Sequence, residues 1–149
     1  MRLEEGVELC SSTGVLSPVE LARRFEVYAE QYVLAIEVEA KLVVEMATTM
    51  IYPAAVSYLS TLGSVNAKLI NSPADAVTNA ANAMMASVDK LTTAIEKEEF
   101  NSTEAHLSFL AGDVCGLMLE VRAAADALEG LVPDSVWPLP KYREMLFIK

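Results

Sequence analysis

The chain has 149 residues and a mass of 16.1 kDa, with 53% hydrophobic and 21% charged residues. Lys and Arg number 11 against 21 Asp and Glu, a formal net charge of -10, which repels phosphate backbones and anionic membranes and so excludes nucleic-acid and membrane-surface partners. Two distant cysteines, Cys10 and Cys115, and the lone His106 exclude a disulfide scaffold and a multi-histidine zinc module, and they fit a reducing, cytoplasmic setting.

Residues 1–16 read as a short helical turn followed by a loop around Ser11-Ser12-Thr13-Gly14; the acidic start, with no apolar stretch, is not a signal peptide. Ser17-Pro18-Val19-Glu20 is a helix start. Ser17 accepts from free N–H groups, Pro18 suits the first helical position, and Glu20 reaches back to the cap. Helix 1 spans residues 17–62, with Gly63 as a left-handed stop, and at ~1.5 Å per residue measures roughly 65 Å. Pro53 predicts a kink near Thr49 to Tyr52. The uncharged run from Met46 to Ala67 is long enough to span a bilayer, but its Ser, Thr and Asn residues with Pro53 and Gly63 argue against a span.

Ser72-Pro73-Ala74-Asp75 repeats the start device and opens helix 2, residues 72–99. Asn101-Ser102-Thr103-Glu104 is a third capping box and opens helix 3, residues 101–131, closed by Gly130 and Pro133. Short connections favour antiparallel neighbours. Residues 132–149 form a tail whose three prolines and Trp137 predict an extended strap over an apolar groove, ending in a turn that docks Met145, Leu146 and Phe147.

Seven-residue spacing places the core. Helix 2 offers Val77, Met84 and Leu91 with Ala81, Val88 and Ile95. Helix 3 offers Leu107, Val114, Val121 and Leu128 with Leu110, Leu117, Ala124 and Leu131. Helix 1 offers Leu21, Tyr28, Ala35 and Leu42 with Phe25, Tyr32, Glu39 and Met46. Together they predict an all-α fold: an up-down-up antiparallel three-helix bundle, one domain over residues 1–149, with a long kinked first helix and an extended Pro/Trp C-terminal tail. Alanine-rich helix 2 is expected to pack weakly. Between Val33 and Ala47, apolar residues wrap most of helix 1, more than one bundle face can bury. That excess marks Val33, Ile36, Val38 and Val44, with Trp137 of the tail, as candidate interface residues.

No catalytic pattern emerges. A di-iron bundle requires Glu-x-x-His, and Thr103 precedes His106 by three. Gly112 and Gly116 belong to no phosphate loop and are read as permitting close helix packing. Cys115 lies about two and a half turns from His106, beyond hydrogen-bond reach, and reads as a buried structural thiol. Glu37 pairs with Lys41 at i,i+4, and Glu45 faces water or a polar neighbour. Glu39, on the apolar stripe, calls for a partner such as Arg122.

Phe25-Glu26-Val27-Tyr28, Tyr32, Ile36-Glu37-Val38-Glu39-Ala40 and Met50-Ile51-Tyr52-Pro53-Ala54 resemble the C-terminal helical region of type III glutamine synthetases. Glu120-Val121-Arg122 through Asp126-Ala127-Leu128-Glu129, followed by Val136-Trp137-Pro138-Leu139-Pro140-Lys141-Tyr142 and Met145-Leu146-Phe147, is similar to that family's ending. Gly14 to Leu21 resembles the lead into its long helix; residues 64 to 104 carry none of the likeness. The resemblance implies ATP-dependent ligation of ammonia to glutamate, with ATP and Mg or Mn held by a β-rich catalytic domain outside these residues. No catalytic, cofactor or metal residue therefore transfers to this chain. It implies an excised portion, a truncated reading frame or a stand-alone relative: a non-catalytic helical domain for domain packing and oligomer assembly. Its partners are then the catalytic domain or other subunits, and a homo-oligomer is expected. A self-standing helical adaptor is the competing expectation, and a ligand-binding or enzymatic bundle a third, which would need a pocket of convergent polar groups.

Overall fold

A computed structural model describes residues 3–63, 71–97 and 99–146, and among them every regular element is helical. Helix α1 (Leu3–Ser12) ends where Thr13 turns back onto it, and Gly14, at φ 65°, supplies the left-handed residue that redirects the chain. Helix α2 (Pro18–Met46) starts on the expected capping box: the Ser17 hydroxyl accepts from the Glu20 amide at 3.3 Å, and the Ser17 amide donates to the Glu20 carboxylate at 2.9 Å. The Ser17 hydroxyl also donates to the Glu20 carboxylate at 2.6 Å, and that bond first, then the one from the Ser17 amide, holds the Glu20 carboxyl below its ordinary range.

Pro53 is accommodated by a change of helix type, not by helix termination. A π-helical turn, Ala47–Ile51, separates α2 from α3 (Tyr52–Gly63), and its closing bond runs from the Tyr52 amide to the Ala47 carbonyl. Proline denies a bond to the carbonyl four residues earlier, and a wider turn redistributes the donors. Thr48 and Thr49 donate their hydroxyls to the Val44 and Glu45 carbonyls, at 2.8 and 2.7 Å. Gly63 is still helical and has no positive φ, so the expected left-handed stop is not there.

Helix α4 (Asn71–Ile95) already includes Asn71, one residue ahead of the expected start at Ser72. The end expected at residue 99 comes at Ile95, four residues earlier, and Glu96 forms a closing turn. Helix α5 (Thr103–Phe109) is capped by Ser102, whose hydroxyl accepts from the Ala105 amide at 3.1 Å, one residue along from the anticipated Asn101. A second π-helical turn, Leu110–Val114, joins it to α6 (Cys115–Glu129). Helix α7 (Tyr142–Leu146) follows the tail.

The core is built on α4. Val77, Met84, Val88 and Leu91 are at most 2% exposed and pack with Leu110, Val114, Val121 and Leu128 of the third helical segment. Helix α4 is thus the centre of the packing and not its weak part: its alanines let neighbours approach, while its four large residues fill the space between. From the first helix come Ala40, Ala47, Ile51 and Ala55, with Val33, Ile36, Val43 and Val44 partly buried beside them.

This facing corrects the expected stripe. Tyr28 and Leu42 are 65% and 50% exposed, and Ala35 and Glu39 are exposed too. The true core line follows the small residues Ala29, Ala40 and Ala47, where backbones come closest. Glu39 therefore has no burial to compensate. Arg122, proposed as its partner, binds Asp126 at 2.7 Å on its own helix.

Gly112 and Gly116 do not mark close packing either: a Cβ at each would find no other atom within 4 Å. Gly116→Ala is accordingly expected to stabilise the fold by about 0.5–1 kcal/mol, the ordinary helix preference of alanine. Chemical denaturation reads this directly, and a loss of stability would show that the position is constrained.

Candidate functional site

Four places bring polar or unusual side chains together, starting with the α2–α5 contact. His106 stacks on Phe100 with ring centroids 4.1 Å apart, and Phe100 meets Phe109 at 5.3 Å. The Lys97 ammonium lies 4.5 Å from the Phe109 ring and 5.0 Å from that of Phe100. Across the helix boundary, His106 Nε2 is 3.8 Å from Glu37 Oε1. Glu37 thus faces His106, and among the described residues no ion pair joins it to Lys41. The cluster ties the start of α5 to the middle of α2. The cavity of about 420 Å³ beside it is open to solvent.

Cys115 begins α6, half-buried and beside Tyr32 of α2, so it is less enclosed than the buried thiol expected. Partial desolvation first, and then Cys115, raise the Tyr32 phenol above its ordinary range. His106 lies on the preceding helix, and nothing couples it to the thiol.

Trp137 is half-buried and packs, with Leu139, against the core. Between this tail, α6 and the first π-helical turn lies an apolar cavity of about 460 Å³, lined by Met46, Ile51, Met118, Val121 and Trp137 and rimmed by Arg122, Asp126 and Glu129. The tail is less extended than expected, because the Val136 and Trp137 amides both donate to the Pro133 carbonyl. Lys141 fastens it: its ammonium is 2.6 Å from Asp134 Oδ1 and donates at 3.3 Å to the Glu129 carbonyl, at the negative end of α6. Of the residues expected to dock, Met145 lines this cavity while staying 59% exposed, Leu146 is 74% exposed, and Phe147 lies outside the described residues. Lys141→Ala should cost about 1 kcal/mol locally. It should shift the emission of the single tryptophan to the red while leaving helix content unchanged; an unmoved spectrum would show that the tail holds without this tie.

The fourth place is the outer face of α2. Of the interface candidates, Val33, Ile36 and Val44 are partly buried against the core, as is Trp137, and only Val38 faces outward, 56% exposed. Val27, Leu34 and Leu42 share that outward face. Sequence reasoning counted Leu34 and Leu42 among the apolar excess but did not resolve them into a second stripe. The 27, 34, 38 spacing was the signal.

No group of three or more His, Cys, Asp or Glu side chains converges among the described residues. Of the described helices one, Pro18–Gly63, is long and apolar enough to cross a membrane, by length and composition alone.

Comparison with known proteins adds an independent line. Residues 1–69 match the family described as the glutamine synthetase C-terminal domain. The chain is 33% identical to a type-3 glutamine synthetase of Dictyostelium discoideum, over 98% of this chain and 22% of that protein. It is 28% identical to a glutamine synthetase of Bacteroides fragilis, over 91% of this chain and 21% of that protein. The chain spans about a fifth of the length of these curated relatives.

Proposed function

From a chain that is a relative of the C-terminal region of type-3 glutamine synthetases, we propose a non-catalytic helical module that serves domain packing and oligomer assembly. ATP-dependent joining of ammonia to glutamate, with its nucleotide and divalent metal, is assigned to a catalytic domain outside these residues. We read the helices as an up-down-up antiparallel bundle of three rods, α2 with α3, α4, and α5 with α6, braced by the Pro/Trp tail as a strap. We place the module in the cytoplasm.

The observation that carries the reading is the outer face of α2. Several large apolar side chains there are half or more exposed, while the opposite face of the same helix is committed to the core. A soluble surface keeps scattered apolar residues without consequence, but a contiguous stripe is a contact surface.

Two measurements test it. Purified chain supplied with ATP, glutamate, ammonia and magnesium should release no phosphate above the spontaneous rate, and turnover would overturn the non-catalytic reading. Light scattering should give a mass above that of one 16.1 kDa chain. A monomer at all concentrations would remove the assembly role.

A further inference from the structure

Helix α2 has two apolar faces on opposite sides. Val33, Ile36, Ala40 and Val43 meet the core. Directly across the helix, Val27, Leu34, Val38 and Leu42 fall within about 80° of arc at 100° per residue. They are 52%, 63%, 56% and 50% exposed. The ladder lies opposite the core-facing side of α2, with residues 100–106 bordering it at Leu34 across the open cavity.

The order of charges says which partner fits. Arg23 and Arg24 lie one turn before Val27, and Glu45 lies one turn beyond Leu42, all of them exposed. Val27 and Leu42 are symmetric about the point midway between Leu34 and Ala35, and Arg24 and Glu45 are symmetric about the same point. Turning a second α2 end for end about that point sets Val27 against Leu42, brings the two Leu34 side chains together, and places Arg24 opposite Glu45 at both ends. Lys41 then comes beside Glu30 on one flank. A parallel pairing would instead set Arg24 against Arg24 and Glu45 against Glu45, which is unfavourable for a chain of net charge -10.

We propose that α2 is a self-association helix: two copies of this chain pair antiparallel through Val27, Leu34, Val38 and Leu42, with Arg24 of each copy against Glu45 of the other. The pairing is isologous, as a closed two-fold contact requires. A single helix face buries less than a standard interface, so the dimer is expected to be weak, with a Kd on the order of micromolar. The inference rests on the assembly reading and names its partner.

Sedimentation equilibrium of the full chain from micromolar to near-millimolar concentration tests it. The wild type should pass from monomer to dimer. Leu34→Asp with Val38→Asp should weaken association at least about 30-fold, while circular dichroism shows unchanged helicity because both positions are exposed. Arg24→Glu alone and Glu45→Arg alone should each weaken self-association about tenfold. Mixing those two single variants should restore dimers, and so should combining both changes in one chain; the second result fixes the register, because identical chains carrying both changes set opposite charges together only when antiparallel. The dichroism also guards against damage to the Ser17–Glu20 cap, which Arg24 adjoins electrostatically. Association that ignores all these variants would overturn the α2 pairing while leaving assembly intact. Loss without rescue in the swapped variants would overturn the antiparallel register. A wild-type chain that stays monomeric would overturn both the pairing and the assembly role.

Discussion

Leu91→Ala is expected to lower the unfolding free energy by about 2–5 kcal/mol. Leu91 is fully buried, one of three large residues at 0% exposure together with Met84 and Leu128, and it belongs to the single cluster that joins α4 to the third helical segment. Its truncation forfeits the transfer of three carbons from water and leaves a hole that close-packed neighbours cannot fully refill. Helix propensity does not compensate, since alanine and leucine differ little in a helix. Urea denaturation followed by circular dichroism gives the quantity: the midpoint should fall with little change in slope. Leu119→Ala is the matched control. Leu119 is 69% exposed on the same bundle and should move stability by no more than about 0.5 kcal/mol. Equal effects at the two positions would mean that the described core is wrong.

The second large effect comes from adding atoms. Ala40→Leu should cost about 1–3 kcal/mol, or more if the helices cannot part. Ala40 is 0% exposed and faces Ala94, Ile95, Leu110 and Val114 around a gap of only about 10 Å³, too small for the three added carbons. Because leucine is itself a good helix former, the loss would report crowding between helices and nothing intrinsic to α2. The same substitution at Ala35, exposed and five residues earlier, should be close to neutral. A neutral Ala40→Leu would place this alanine away from the contact and would revive the aromatic stripe through Tyr28 and Tyr32 as the buried face.

That alternative stripe shows where sequence reading reached its limit. In helices two and three the leading seven-residue sets were legible, although Leu131, placed with them, lies past the end of α6 and is 39% exposed. Val77, Met84 and Leu91 repeat every seven positions, as do Val114, Val121 and Leu128, and all six are buried. Their opposite faces are polar or small, so the period admits one solution. Helix one carries apolar side chains on two faces, and the period admits two. The larger residues, Tyr28, Tyr32 and Leu42, drew the assignment, yet burial went to the line through Ala29, Ala40 and Ala47. Close helix approach selects small side chains at the point of contact, and hydrophobic bulk gives no weight to them.

The π-helical turns divide in the same way. Pro53 announced a disturbance near Thr49 to Tyr52, and one lies over Ala47–Ile51. The second, Leu110–Val114, has no proline to announce it and contains only Gly112 as a weak helix former. The outer ladder of α2 was half visible: the excess of apolar residues was evident from Val33 to Ala47, but which of them remained outside depended on the facing.

Local chemistry written into the chain determined the helical class, the Ser17 cap, and kinship with the glutamine synthetase C-terminal domain. These rest on short-range bonds and on residue patterns that need no knowledge of neighbours. Only the packed structure decided which side of helix one is inside, that α4 is the central helix, that His106 meets Glu37, and that Val27, Leu34, Val38 and Leu42 stay in water. Those choices follow from how close three particular surfaces can approach, a property of all of them at once that no single helix encodes.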